Sequence, residues 1–188
     1  LIADSMAERR KAMPLAINSL RSAWRKLRER RPDSVPFTVK VIGHADEVFA
    51  QAVKDAGFSH AFCGRITNHA EIAALLSQCD LLLTCSFEDN WPNVLVEAGS
   101  YGVIPIVGPG HGCEEFVGEL DGGIVANSYS DSSFANSIVE AVAGRIGNPD
   151  HFSEAVRQLH SPNRVRSEYK PVLMAISGSH KGLIARNV

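Results

Sequence analysis

The chain has 188 residues, 45% of them apolar and 21% charged, with 19 Lys and Arg against 21 Asp and Glu for a formal net charge of −2. That length fits one domain of ordinary size, and the composition excludes a disordered chain. A transmembrane helix is excluded as well, because it needs roughly 18 consecutive apolar residues and the longest run, Ala73 to Leu83, is broken by Ser77, Gln78 and Asp80.

Read for period and punctuation, the chain alternates short β-rich runs with amphipathic helices. A strand stub at Leu1 to Ala3 precedes a first helix that ends before Pro32, its apolar face marked by Ile17, Leu20, Trp24 and Leu27. The strand Phe37 to Ile42 is closed by Gly43, and a helix from Asp46 to Ala56 stops at Gly57. His60 to Ile66 is the next strand, after which Asn68 and Glu71 form a capping box for a helix with Ile72, Leu75 and Leu76 inward. Asp80 to Ser86 is a near-continuous apolar run, as expected of a strand covered on both faces.

A helix from about Pro92 to Tyr101, the strand Val103 to Val107, a Gly-rich turn, a short helix near Glu114 and the strand Gly123 to Ala126 follow. Helices are predicted at Ser133 to Ala143, His151 to Leu159 and Pro162 to Ile176, with a loose tail at the end. Strands joined through helices give parallel pairing, so the expected fold is an α/β, doubly wound parallel sheet of Rossmann-like type.

Charge is concentrated at one end. Residues Glu8 to Arg31 hold nine Lys and Arg against two Glu, a balance of +7 that leaves −9 for the rest. From Arg21 onward the basic residues fit a solvated helix face near the negative end of the helix dipole, so no nucleic-acid partner is expected. Cys63, Cys79, Cys85 and Cys113 form no C-x-x-C pair and are expected as buried free thiols in the reducing cytoplasm. The seven histidines show no metal-ligand spacing, and no Ser-His-Asp arrangement follows from His111.

Open α/β sheets bind ligands outside the carboxyl ends of their strands, and three such loops are notable. The richest is Ser86-Phe87-Glu88-Asp89-Asn90-Trp91-Pro92-Asn93, leading into the helix with Glu97. Pro92 suits the first helical position, which leaves amides near Asn93 and Val94 for a phosphate, and Glu97 is placed to be partly shielded and to accept hydrogen bonds from a ribose diol. The same residues also fit a helix cap at Asp89 and a solvated Glu97. In the second loop, Gly108-Pro109-Gly110-His111-Gly112, the third glycine comes one position too early for a dinucleotide fingerprint and no acidic residue ends the next strand. Tight turning explains its glycines better. In the third, Glu8-Arg9-Arg10-Lys11, cations at a helix N-terminus oppose the dipole, which points to a phosphate there.

These loops, in this order, resemble the C-terminal domain of the retaining, B-type glycosyltransferases of the glycosyl transferases group 1 family. Its hallmark, E-x(7)-E in a setting such as EGFPxxxxEAxxxGxPVV, is matched by Asp89 to Ala98, then Gly102 and Ile104-Pro105-Ile106-Val107. Phe62-Cys63-Gly64-Arg65-Ile66 resembles the family's F-x-G-R-V, and Arg10-Lys11-Ala12 its R-K-G. Gly112 to Val125, with Glu114 to Val117 and Asp121 to Gly123, resembles G-x-x-E-I-V-x-D-G-x-x-G. The likeness runs from Leu1 to about Ala143 and departs from the pattern at three places: Asp89 for a glutamate, Ala12 for a glycine and Met6 for an arginine.

The resemblance implies a nucleotide-sugar-binding Rossmann-like domain over residues 1–176, a tail over 177–188, and one half of a GT-B enzyme whose N-terminal acceptor domain lies outside this chain. The missing methionine at Leu1 agrees with that expectation. By position, Glu97 would hold the ribose and Asp89, or Glu88 in its place, the sugar. The diphosphate would fall to Arg10, Lys11 and the segment Asn90, Trp91, Pro92, Asn93 and Val94, with Gly64, Arg65 and Ile66 beside the base. An NDP-sugar is then a substrate, no metal or other cofactor is expected, and the fragment alone is expected to be inactive. Cell-surface polysaccharide synthesis in the cytoplasm is implied, with any peripheral membrane contact made by the missing half. The alternatives are half of a GT-B nucleotide-sugar epimerase and a non-catalytic nucleotide- or partner-binding module, the latter favoured by Asp89 and Met6.

Overall fold

The computed structural model describes residues 2–3, 11–88, 93–120, 122–144, 147–161, 163–164, 166–167 and 170. In chain order the described elements are β1 (Ile2–Ala3), α1 (Met13–Arg30), β2 (Thr38–Gly43), α2 (Glu47–Asp55), β3 (Ser59–Gly64), α3 (His69–Leu76) and β4 (Leu81–Leu83). They continue with α4 (Asn93–Gly99), β5 (Ile104–Val107), α5 (His111–Glu119), β6 (Ile124–Val125), α6 (Asp131–Val142) and α7 (Pro149–Leu159). Every described pairing is parallel. The order is β1-β2-β3 in one three-stranded sheet and β4-β5-β6 in a second. Each half is therefore a βαβαβ unit, the building block of Rossmann-like folds.

The expected single sheet is thus seen, among the described residues, as two. The described part of β1, Ile2–Ala3, pairs with Ile42 and Gly43 of β2. One apolar layer nevertheless serves both sheets: Val39 and Val41 of β2 share a core with Leu83, Cys85 and Ile106 beneath α1, α2 and α6. Leu82 and Val107 point the other way, into a second core closed by α4, α5 and α7. Adjacent residues of one strand feed opposite layers, which is why β4 and β5 carry no polar alternation.

Local chemistry accounts for the element ends. Asp46 accepts from the Phe49 amide at 2.8 Å to start α2, and Gly57 follows it with φ of 80°. Asn68 caps α3 by accepting from the Ala70 amide at 2.8 Å. On α1, Ala16 and Ala23 are fully buried beside Ile17 and Leu20, so the face turned to α6 is partly built of small residues. Arg25, Arg28, Arg30 and Arg31 are exposed, and Lys26 donates to Asn136 of α6 at 2.8 Å. The basic stretch from Arg25 is a solvated face.

One expectation is corrected. All four cysteines are free, but only Cys85 and Cys113 are buried; Cys63 on β3 and Cys79 after α3 are half-buried, because among the described residues β3 has a strand on one side only and Cys79 sits in the turn that leaves α3. The helix over Pro162 to Ile176 falls for the most part outside the described residues, and the tail from Gly178 wholly so.

Candidate functional site

Each half winds outward from its first strand, β1 in one and β4 in the other, and α/β sheets bind ligands outside the carboxyl ends of their strands. Arg10, Asp89, Asn90, Trp91 and Pro92 lie outside the described residues. Lys11 is half-buried just before α1, beyond the end of β1, and Glu88 is exposed beyond the end of β4. Gly64, Arg65 and Ile66 leave the carboxyl end of β3, with Arg65 exposed and Ile66 half-buried. A Cβ at Gly64 would meet nothing within 4 Å, so this end of β3 faces open space.

Asn93 opens α4 in an exposed position, while Val94 is half-buried and packs against the second core. Glu97 is exposed, where partial shielding was expected. The reason is helical geometry: α4 buries Leu95, Ala98 and Gly99, and residue 97 falls on the opposite side of that helix.

One residue that the motifs did not single out ties the loops together. Tyr129, beyond the end of β6, donates its phenol hydrogen to the Ser86 carbonyl oxygen at 2.9 Å. Its ring lies 4.8 Å from that of Phe87 and 6.2 Å from that of Phe134. A Cβ on Gly108 would overlap the same ring, so the loops after β4, β5 and β6 meet at one side chain. Burial, reinforced by Cys113, Cys85 and Glu114, pushes the Tyr129 pKa above the ordinary phenol value. Burial, with the Asp131 carboxylate adding to it, likewise raises the Cys85 thiol and keeps it neutral. Nothing in Ser128-Tyr129-Ser130 distinguishes this tyrosine from one on an ordinary polar loop, so only the fold reveals it.

The glycine loop after β5 is a tight turn, as its composition implies. Gly110 has φ of 77° and its amide donates to the Glu114 carboxylate one turn into α5. A cavity of about 470 Å³ lies at the opposite, amino edge, among Phe37, Val39, Leu81, Leu83 and Ile138. It lies beside the amino half of β2, which has no strand on that side among the described residues. Among the described residues no three His, Cys, Asp or Glu side chains come together as metal ligands.

The sequence model of the glycosyl transferases group 1 family matches residues 8–159. The chain belongs to that family. Its fold is that of solved glycosyltransferases. HepE from Anabaena, crystallised with UDP and glucose, superposes with a TM-score of 0.70 at 17% identity, over 93% of this chain and 47% of that one. WaaG, a glycosyltransferase involved in lipopolysaccharide biosynthesis, gives 0.67 at 18%, over 94% and 46%. The pneumococcal O-GlcNAc transferase GtfA, with UDP and GlcNAc, gives 0.69 at 16%, over 93% and 35%. The chain spans about half the length of the first two and about a third of the last. No sequence among the curated proteins matches it.

The family pattern R-K-G acquires a physical reason at Ala12. That residue has φ of 48° and ψ of 45° at the N-cap of α1, the left-handed region that glycine enters freely and alanine enters at about 1–2 kcal/mol. This chain carries that strain. Gly64 presents the reverse case, with φ of 67° and open space around it. Gly64→Ala is therefore expected to cost about 1 kcal/mol through backbone strain without any clash, read as a fall of about 2–4 °C in thermal midpoint. A midpoint unchanged within 1 °C would contradict the left-handed conformation.

Proposed function

We propose that residues 1–176 form the donor-binding half of a retaining glycosyltransferase, with 177–188 as a tail and the acceptor-binding half in an N-terminal domain outside this chain. The reaction is transfer of a sugar from a nucleotide-diphosphate donor to a glycan, lipid or small-molecule acceptor. The observation that carries this reading is the family match laid over a two-half α/β fold, with Lys11, Glu88 and Glu97 all in the loops and helices that follow the carboxyl ends of β1 and β4.

In this reading Glu97 accepts hydrogen bonds from the ribose diol and Asp89, or Glu88, contacts the sugar. Arg10, Lys11 and the backbone over Asn90 to Val94 receive the diphosphate, and Gly64 to Ile66 flank the base. Cationic groups and amide donors stabilise charge as it develops on the leaving diphosphate, so the chemistry is assigned without a metal. Departure is to the same face of the sugar as attack, with no protein nucleophile in this half. No described helix is long and apolar enough to cross a membrane. We place the protein in the cytoplasm, in cell-surface polysaccharide synthesis, with contact at the inner membrane face left to the acceptor half.

UDP is the first nucleotide to test, because HepE and GtfA were crystallised with it. Calorimetric titration of the chain with UDP, GDP and ADP is expected to give weak binding of one of them. Absence of binding by all three would overturn the reading. Asp89 and Met6, which replace the family's glutamate and arginine, favour a second reading, a non-catalytic nucleotide-binding module. Sugar transfer by the full-length protein separates the two.

A further inference from the structure

We propose that Tyr129 is a positioning residue that holds Ser86 to Glu88, the described start of the loop after β4, ready for donor binding. The inference rests on the donor-binding reading above and goes beyond it, because Tyr129 lies in a different loop, after β6, and in none of the motifs that carry the family resemblance. Three observations converge on its ring. The phenol donates to the Ser86 carbonyl at 2.9 Å, two residues before Glu88 and three before Asp89. The ring meets that of Phe87 at a tilt, and Phe87 remains 41% exposed on its other sides. The space beneath it exists only because residue 108 has no side chain.

A loop that must present a carboxylate to a sugar gains from being ordered before the ligand arrives, since ordering it on binding subtracts from the affinity. The backbone of this loop leaves β4 at Leu83 and next enters a described helix at Asn93. Between those points the phenol fixes the carbonyl of Ser86 and the ring fixes the side chain of Phe87. The chain direction at Glu88 is thereby set from the loop after β6, two strands away in the sheet order β4-β5-β6. Ser86 and Tyr129 are both half-buried, so water replaces the lost donor only in part.

Tyr129→Phe keeps the ring and removes only the donor, and Gly108→Ala keeps the donor and displaces the ring. Backbone order parameters at Phe87 and Glu88 are measured by NMR relaxation in the ligand-free chain, alongside UDP titrations of all three proteins and their thermal midpoints. Both variants are expected to lower the order parameters from about 0.85 to below about 0.6. Tyr129→Phe is expected to weaken UDP binding about five- to tenfold with a midpoint near that of the parent. Unchanged order parameters in Tyr129→Phe would overturn the proposal whether or not the nucleotide binds. A loosened loop with undiminished UDP affinity would overturn it as well, leaving the donor-binding reading intact. Should the parent chain bind no nucleotide diphosphate, the donor-binding reading fails, and the donor role of Tyr129 fails with it.

Discussion

Phe152→Ala is expected to cost about 3–5 kcal/mol, the largest stability loss of any single substitution considered for this chain. The ring is 1% exposed and meets Phe116 edge-on with centroids 6.3 Å apart. Two glycines shape its pocket. A Cβ at Gly99 of α4 would come within 3.0 Å of the Phe152 ring and 2.9 Å of Val156, and one at Gly122 would overlap the ring outright. Neither glycine has a side chain to move into the space left by alanine, which favours the upper end of the range. For a domain of this size about 2–4 °C of midpoint is lost per kcal/mol, so a fall of about 10 °C or more is expected in a thermal melt. A loss below about 2 kcal/mol in urea unfolding would show that the pocket is not packed as described. Because Gly99 belongs to α4, the same substitution loosens the helix that carries Glu97.

Glu97→Ala is expected to have the opposite profile, with stability kept and nucleotide binding lost. The side chain is exposed and no described core contact depends on it, so its removal should change unfolding free energy by no more than about 0.5 kcal/mol. A carboxylate that accepts from both hydroxyls of a ribose makes two charge-assisted hydrogen bonds, each contributing about 1.5–3 kcal/mol. Losing both raises the dissociation constant at least about a hundredfold, which takes a weak binder out of calorimetric range. Glu97→Gln, which keeps the shape and one acceptor, is expected to fall between the two. Undiminished UDP affinity in Glu97→Ala, measured beside a parent chain that binds, would remove Glu97 from the proposed site. The exposure of Glu97 in this chain leaves it reachable by a diol.

Much of the element order was legible because it is written in short-range chemistry. Asp46 and Gly57 bracket α2, Asn68 starts α3, and the apolar run around Leu81 to Leu83 announces a strand buried on both faces. The misplacements are equally local. The start of α6 was expected at Ser133, and Ser130 takes the cap instead by accepting from the Ser133 amide at 3.2 Å. In Ser130-Asp131-Ser132-Ser133 every residue is a competent cap, so composition does not select among them. Asn148 caps α7 with Pro149 in its first turn, two residues before the expected start at His151, because a proline that usually ends a helix also opens one well.

The sequence alone determined which segments alternate, where glycines and caps stop them, and which loops at the carboxyl edge hold acids and cations. Those properties act over a turn of helix or a few residues of strand. What only the tertiary structure decided is which side chains meet across long separations. Tyr129 reaches Ser86 over 43 residues, because parallel crossovers bring the ends of β4, β5 and β6 to one edge. Gly108 is required by a ring that is remote in the chain, and Glu97 is exposed because α4 turns Leu95, Ala98 and Gly99 inward. No periodicity or spacing carries that information, since each depends on the packing of elements that are independent in sequence.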